Sequence, residues 1–225
     1  KRGELITNPV HYRDQRTRSI PEKVFEKYIS KDELYSRAGM QCMHFNTLYQ
    51  LMYLKLNEPE LLEQTAKFLM IPDLFAYFLT GEMKEESTIA STSNLLNPNT
   101  KDWDFELIEK LGLDKNIFAP IVKPGSVYGY LKEDICEELG CKKVPVIAVA
   151  SHDTASAVAA TPTKYDDFIY ISCGTWSLFG TEMKSPLLNS SAQNANFTNE
   201  GGFDGTIRFL KNIMGLWMIQ CVRRE

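Results

Sequence analysis

The sequence predicts an α/β fold in two parts. Three observations carry this: a first 135 residues patterned mostly as helix, one continuous apolar β-rich run at residues 144–150, and a strand–turn–strand pattern over residues 168–180. Ser30 or Asp32 can open a helix ahead of Leu34 and Tyr35. Thr47 followed by Gln50 has the form of a capping box before the apolar run 48–56. Pro59 suits the first turn of another helix, and residues 72–81 read as a short helix stopped by Gly81. A Ser/Thr-rich stretch at 87–93 precedes a helix near 105–111.

The texture changes at Val144. The run to Ala150 reads as a strand buried on both faces, and the small residues 155–160 favour a tightly packed helix. Residues 161–167 are the best linker, with a boundary near residue 162 separating 1–162 from 163–225. Residues 168–172 and 176–180 read as a hairpin turning at Gly174. Asn199, Glu200, Gly201 and Gly202 read as a loop, and residues 209–222 as an amphipathic helix.

Composition narrows the function. The 225 residues carry 25 Lys plus Arg against 29 Asp plus Glu, a net charge of −4 with no basic cluster, which argues against a nucleic-acid surface. No run of 18 apolar residues is present, and the opening at Lys1 is not a signal peptide. Five scattered cysteines suit a reducing, cytoplasmic setting; Cys136 and Cys141 have the wrong spacing for a CxxC metal or redox motif, so no metal site is expected. In a cytosolic setting the glycosylation matches at Asn189 and Asn196 are chance. This length serves one sizeable core, or one domain and part of a second.

Asp153 is the leading candidate for chemistry. It follows a strand directly, at the edge where ligands gather in open α/β sheets, and a carboxylate there can accept a proton from a hydroxyl during phosphoryl transfer. The alternative is a helix N-cap made by Asp153 or Thr154. His152 is a second polar contact or a structural histidine. Ser151, His152 and Asp153 are consecutive, so they cannot form a hydrolytic triad. Neither a P-loop nor a dinucleotide fingerprint occurs, so a nucleotide site needs another design. The Gly174–Thr175 turn can present backbone N–H groups and a hydroxyl to an anion, or be only a hairpin turn. Arg13 and Asp14 can fork onto sugar hydroxyls or form a solvated charge cluster. Asn212 and Gln220, eight apart on the expected helix, can face one ligand or border a packed core.

Six blocks occur together and in order: Tyr12-Arg-Asp-Gln-Arg-Thr17, Phe45-Asn-Thr-Leu-Tyr-Gln-Leu51, Ser151-His-Asp-Thr-Ala-Ser-Ala-Val158, Ser172-Cys-Gly-Thr-Trp-Ser-Leu178, Asn199-Glu-Gly-Gly202 and Leu210-Lys-Asn-Ile-Met-Gly-Leu-Trp217. With the segment from Pro72 to Gly81, they resemble the FGGY carbohydrate kinases across nearly the whole chain, and among them the branch that acts on rhamnulose.

The resemblance implies an actin-like (RNase H-like) ATPase fold. This chain would hold most of the N-terminal sugar-binding domain and the start of the C-terminal nucleotide domain. It implies transfer of the ATP γ-phosphate to the 1-hydroxyl of L-rhamnulose, with Mg²⁺. Kinases of other ketoses and a non-catalytic sugar binder share the fold. By the family pattern Asp153 is the catalytic base, and His152, Thr154 and Asn212 are sugar contacts. Thr175 and Gln220 are ATP contacts, and the base reading of Asp153 then overtakes the cap. The family's opening Asp-x-Gly strand and phosphate loop have no counterpart before Gly3. The chain therefore reads as a fragment, inactive alone.

Overall fold

The computed structural model describes residues 3–165 and 167–224; Lys1 and Arg2 at the start, Asp166 in the expected linker, and Glu225 lie outside the described residues. The chain opens with five helices: α1 (Ile20–Lys27), α2 (Lys31–Ala38), α3 (Thr47–Asn57), α4 (Pro59–Gln64) and α5 (Ile71–Thr80). The Ser30 hydroxyl accepts from the Glu33 N–H to start α2 (3.1 Å), and Gly39 ends it at φ 65°, a conformation glycine adopts without a Cβ clash. Gly81 ends α5 in the same way, at φ 78°.

The Thr47 capping box does not form. Asn46 precedes α3, and its side chain is turned back to accept from the Met43 N–H (2.8 Å). The Thr47 hydroxyl meets the Met70 sulfur (3.7 Å), and Gln50 accepts from the Arg16 guanidinium (2.9 Å) instead of reaching back to the helix start. Tertiary partners have replaced the local ones.

Short pieces follow: β1 (Glu85–Glu86), α6 (Ser87–Ala90), β2 (Leu96–Asn97), β3 (Asp102–Trp103), α7 (Phe105–Lys110), β4 (Ile121–Val122), β5 (Val127–Tyr130) and α8 (Glu133–Leu139). The Ser/Thr-rich stretch is therefore a helical turn, with Thr88, Ser91 and Ser93 buried. The main core joins α1, α3 and α7 through Ile20, Val24, Leu48, Met52, Leu107 and Ile108.

The run at 144–150 departs from expectation. Only β6 (Pro145–Ile147) is a strand, and it pairs antiparallel with β5. Val144, Ile147 and Val149 are exposed, whereas Ala148 is buried with Ala76 and Tyr128. One covered face and one paired edge turn an apolar run into an alternating strand.

Helix α9 (Asp153–Ala159) leads to the main sheet. Its elements are β7 (Ile169–Cys173), β8 (Trp176–Met183), α10 (Ser190–Asn194), β9 (Thr198–Gly201) and β10 (Ile207–Met214), before the final α11 (Trp217–Val222). The strand order is β7-β8-β10-β9, antiparallel throughout, and the hairpin turns at Gly174 as expected.

Two expectations are corrected here. Asn199, Glu200 and Gly201 form a strand, and of the helix expected over residues 209–222 only α11 is helical, residues 209–214 belonging to β10. A strand bonded on both sides carries apolar residues on both faces, so periodicity alone did not separate it from a buried helix. With side chains alternating, Arg208, Leu210 and Asn212 share one face.

Beneath β1 lies an acidic cluster. Asp73 accepts from the Glu86 N–H (3.0 Å) and from the Tyr128 hydroxyl, and Glu85 accepts from the Met70 N–H (3.1 Å). Burial, reinforced by Asp73, pushes the Glu85 carboxyl well above its ordinary value of 4.5. The folded state therefore keeps a proton that the unfolded chain has lost. That stabilisation is complete below the ordinary value and is lost as pH rises through the folded one. Glu85→Gln should remove this slope: urea unfolding between about pH 5 and about pH 8 should fall less with pH in the variant than in the unaltered protein. Parallel pH profiles would refute a proton held on buried Glu85.

Candidate active site

The site is built from the end of β6 outward. Ala150 is buried, and the next two residues are fixed by their backbones. Ser151 donates its N–H (3.0 Å) and hydroxyl (2.8 Å) to Glu86, and the His152 N–H donates to the Thr88 hydroxyl (3.2 Å). Helix α9 then begins at Asp153. One Asp153 oxygen accepts from the adjoining Thr154, at its N–H (2.6 Å) and hydroxyl (3.3 Å). A cap would reach the donors two or three residues on. The Asp153 side chain is 97% exposed, so a carboxylate stands open where a sheet strand gives way to a helix.

His152 is nearly buried, with its Nε2 at 3.8 Å from Glu200 and its Nδ1 at 3.7 Å from Asp153, both beyond hydrogen-bond length. Burial lowers its pKa, which favours the neutral imidazole at pH 7. Under it, Arg208 is fully buried with Nη2 at 3.1 Å from Glu200, and its Nε donates to the Gly201 carbonyl (2.9 Å).

The hairpin forms one wall. Gly174 donates to the Trp176 carbonyl (2.7 Å) and accepts from the Leu216 N–H (3.0 Å), which pins the turn carrying Thr175. A Cβ on Gly215 would stand 2.7 Å from the Gly174 carbonyl oxygen, so this approach needs glycine. Opposite, Phe45 packs beside Trp176 at 6.1 Å between ring centres. Asn212 donates to Gln41 (3.3 Å), which links β10 to the helical part. Asn199 also joins the two parts, donating its N–H (2.9 Å) and side-chain amide (3.0 Å) to the Gly39 carbonyl.

These walls enclose a cleft of about 550 Å³ lined by His152, Asp153, Thr154, Thr175 and Asn212, together with Gln41, Phe45, Trp176 and Glu200. Five of the six residues that the family resemblance assigns to the site thus meet in one place. Gln220 does not: it is exposed on α11, away from the cleft lining, and Asn212 lies on a strand, so the two do not share a helix face. Arg13 and Asp14 also lie outside that lining. Arg13 donates to the Tyr12 hydroxyl (2.7 Å) with its guanidinium 5.5 Å from the Trp217 ring, and Asp14 caps the following turn (2.8 Å to the Arg16 N–H).

Sequence reading missed Gln41, Glu86 and Arg208, and it held Glu200 only as part of the block Asn199 to Gly202. Arg208 carried a signal, a charge set between Ile207 and Phe209, whereas Glu86 was hidden in a short polar segment. Among the described residues no group of three His, Cys, Asp or Glu side chains could hold a metal ion, and the five cysteines are free. No helix of the described residues is long and apolar enough to cross a membrane. Chemically, the cleft offers an open carboxylate beside a neutral imidazole, hydroxyls and amides. This set suits binding a polyhydroxylated ligand and accepting a proton from it.

The N-terminal domain of the FGGY family of carbohydrate kinases matches residues 1–159, and the C-terminal domain of that family matches residues 169–225. A rhamnulokinase from Oceanobacillus iheyensis is 51% identical over 220 residues, which is 98% of this chain and 46% of that protein. A rhamnulokinase from Bacteroides thetaiotaomicron is 45% identical over 223 residues, 99% of this chain and 46% of that one. The chain therefore spans about half the length of the curated relatives it matches. Gluconate kinase from Lactobacillus acidophilus superimposes with a TM-score of 0.78 at 26% identity, over 92% of this chain and 41% of that one. Glycerol kinase from Plasmodium falciparum, with ADP, gives 0.81 at 13% identity over 99% of this chain and 46% of that one, a likeness of fold alone. The fold is thus the expected actin-like α/β one, covering the N-terminal domain and the start of the C-terminal domain.

The buried Glu200–Arg208 pair generates a stability test. Arg208→Met leaves Glu200 charged and uncompensated, with an expected loss of about 3–5 kcal/mol by urea denaturation. Adding Glu200→Leu should recover most of it. Additive losses in the double variant would show that the two side chains do not act as a pair.

Proposed function

The chain belongs to the FGGY family of carbohydrate kinases, and from that premise we propose that the full-length protein transfers the γ-phosphate of ATP to the 1-hydroxyl of L-rhamnulose. The observation that carries this reading is the open Asp153 carboxylate at a strand end, inside a cleft whose other lining groups suit a sugar. The choice of ketose is supported by relatives named rhamnulokinase at 45–51% identity.

In this mechanism Asp153 accepts the proton of the ketose hydroxyl as the oxygen attacks the γ-phosphorus and ADP departs. His152, being neutral, can both donate to and accept from sugar hydroxyls, and Thr154 and Asn212 complete the sugar contacts. Thr175, at the pinned hairpin turn, meets the phosphates of ATP. Gln220 is assigned to ATP on the family resemblance. Mg²⁺ would neutralise phosphate charge when bound. Among the cleft residues, the exposed carboxylate of Asp153 would be available to it. A boundary near residue 162 is supported by the gap between the matched regions, 160–168. A cytoplasmic protein acting on small molecules, with neither nucleic acid nor membrane as partner, completes the reading.

The test is a coupled ATP assay on the full-length protein with L-rhamnulose and a panel of other ketoses. L-rhamnulose should give the highest kcat/KM, and Asp153→Asn should lower turnover about 10²–10⁴-fold with the fold intact. Near-normal turnover by a folded Asp153→Asn variant would reject Asp153 as the base. Sugar binding without ATP consumption would reject a kinase altogether.

A further inference from the structure

Glu86 is fully buried, yet no cation pairs with it among the described residues. Its two oxygens instead collect six donors. Four are local: the N–H groups of Thr88 (2.7 Å) and Ile89 (3.3 Å), and the hydroxyls of Ser87 (3.1 Å) and Thr88. A helix cap needs no more than these. The other two, the Ser151 N–H and hydroxyl, come from a segment 65 positions along the chain. Thr88 extends the same bracket, since its hydroxyl donates to Glu86 and accepts from the His152 N–H (3.2 Å). On the other side, the Glu86 backbone N–H is anchored on the buried Asp73 (3.0 Å).

We propose that Glu86, acting with Thr88, is a positioning residue that fixes the backbone of Ser151 and His152 and thereby aims Asp153 into the cleft. The functional side of this inference rests on Asp153 being the proton acceptor. A buried anion bonded directly to the Ser151 N–H, and through the Thr88 hydroxyl to that of His152, holds the next residue more firmly than packing of the small residues around it, and a misplacement of about 1 Å costs on the order of 10²-fold in rate. In Glu86→Gln one oxygen becomes an amide that confronts donors with donors, and the bracket opens.

Two measurements on the full-length protein test this. Amide hydrogen exchange at Ser151 and His152 should speed up at least about tenfold in Glu86→Gln, while Val158, inside α9, keeps its protection. Turnover of L-rhamnulose should fall about 10–100-fold with the ketose KM within about threefold, because binding contacts stay while the base is mis-aimed. Thr88→Ser, which keeps the hydroxyl, should behave as the unaltered protein, and Thr88→Val should release His152. This pair decides the matter if Glu86→Gln fails to fold. Unchanged exchange at both amides, or a loss of stability with kcat preserved, would overturn the proposal. Absence of ketose phosphorylation by the unaltered protein would refute the proposed activity but not the bracket, which the exchange rates decide by themselves.

Discussion

Burying a carboxylate obliges the chain to bring partners to it, and Glu86, with no cation paired to it among the described residues, meets this obligation with hydrogen-bond donors. Meeting it requires α6 to start where it does, so that Thr88 and Ile89 present their N–H groups. It also requires the segment after β6 to pass close enough for Ser151 to bond twice. Asp73 on α5 then fixes the Glu86 backbone, while Tyr128 on β5 bonds to Asp73. Four parts of the chain thus converge on one polar cluster, and the segment it holds carries His152, Asp153 and Thr154 to the cleft.

The second part of the chain is held by a comparable device. Arg208 and Glu200 are buried together on adjacent strands, and Glu200 stands near the inner edge of His152. Around this pair the helical part and the sheet are stitched by bonds from α2 and Gly39: Tyr35 donates to the Phe197 carbonyl (2.9 Å), and Asn199 bonds twice to Gly39. Phe197 stacks on Phe209 with ring centres 4.6 Å apart. The buried groups are committed to the scaffold, which leaves the cleft with polar side chains free to meet a ligand.

Much of this was legible in the sequence wherever a local rule acts alone. Gly39 was not singled out, but Ser30, Gly81, Pro59 and the turn at Gly174 marked element ends through conformational preferences that survive folding. The run Ser151 to Thr154 stood out because a strand-like segment gives way there to small helix-forming residues. What failed depended on neighbours far along the chain. Asn212 looked helical because β10 is flanked by β8 and β9 and carries apolar residues on both faces. The run at 144–150 looked central, yet it has one partner among the described residues. Glu86 gave no signal, since its importance lies in Ser151, 65 residues away.

The most direct measurement is a crystal structure of the full-length protein with L-rhamnulose bound. The expected result places the 1-hydroxyl about 2.6–3.2 Å from the Asp153 carboxylate, with His152, Thr154 and Asn212 around the remaining hydroxyls. A sugar seated outside the cleft, or one whose hydroxyls all lie beyond hydrogen-bond reach of Asp153, would contradict the assignment of this carboxylate as the proton acceptor.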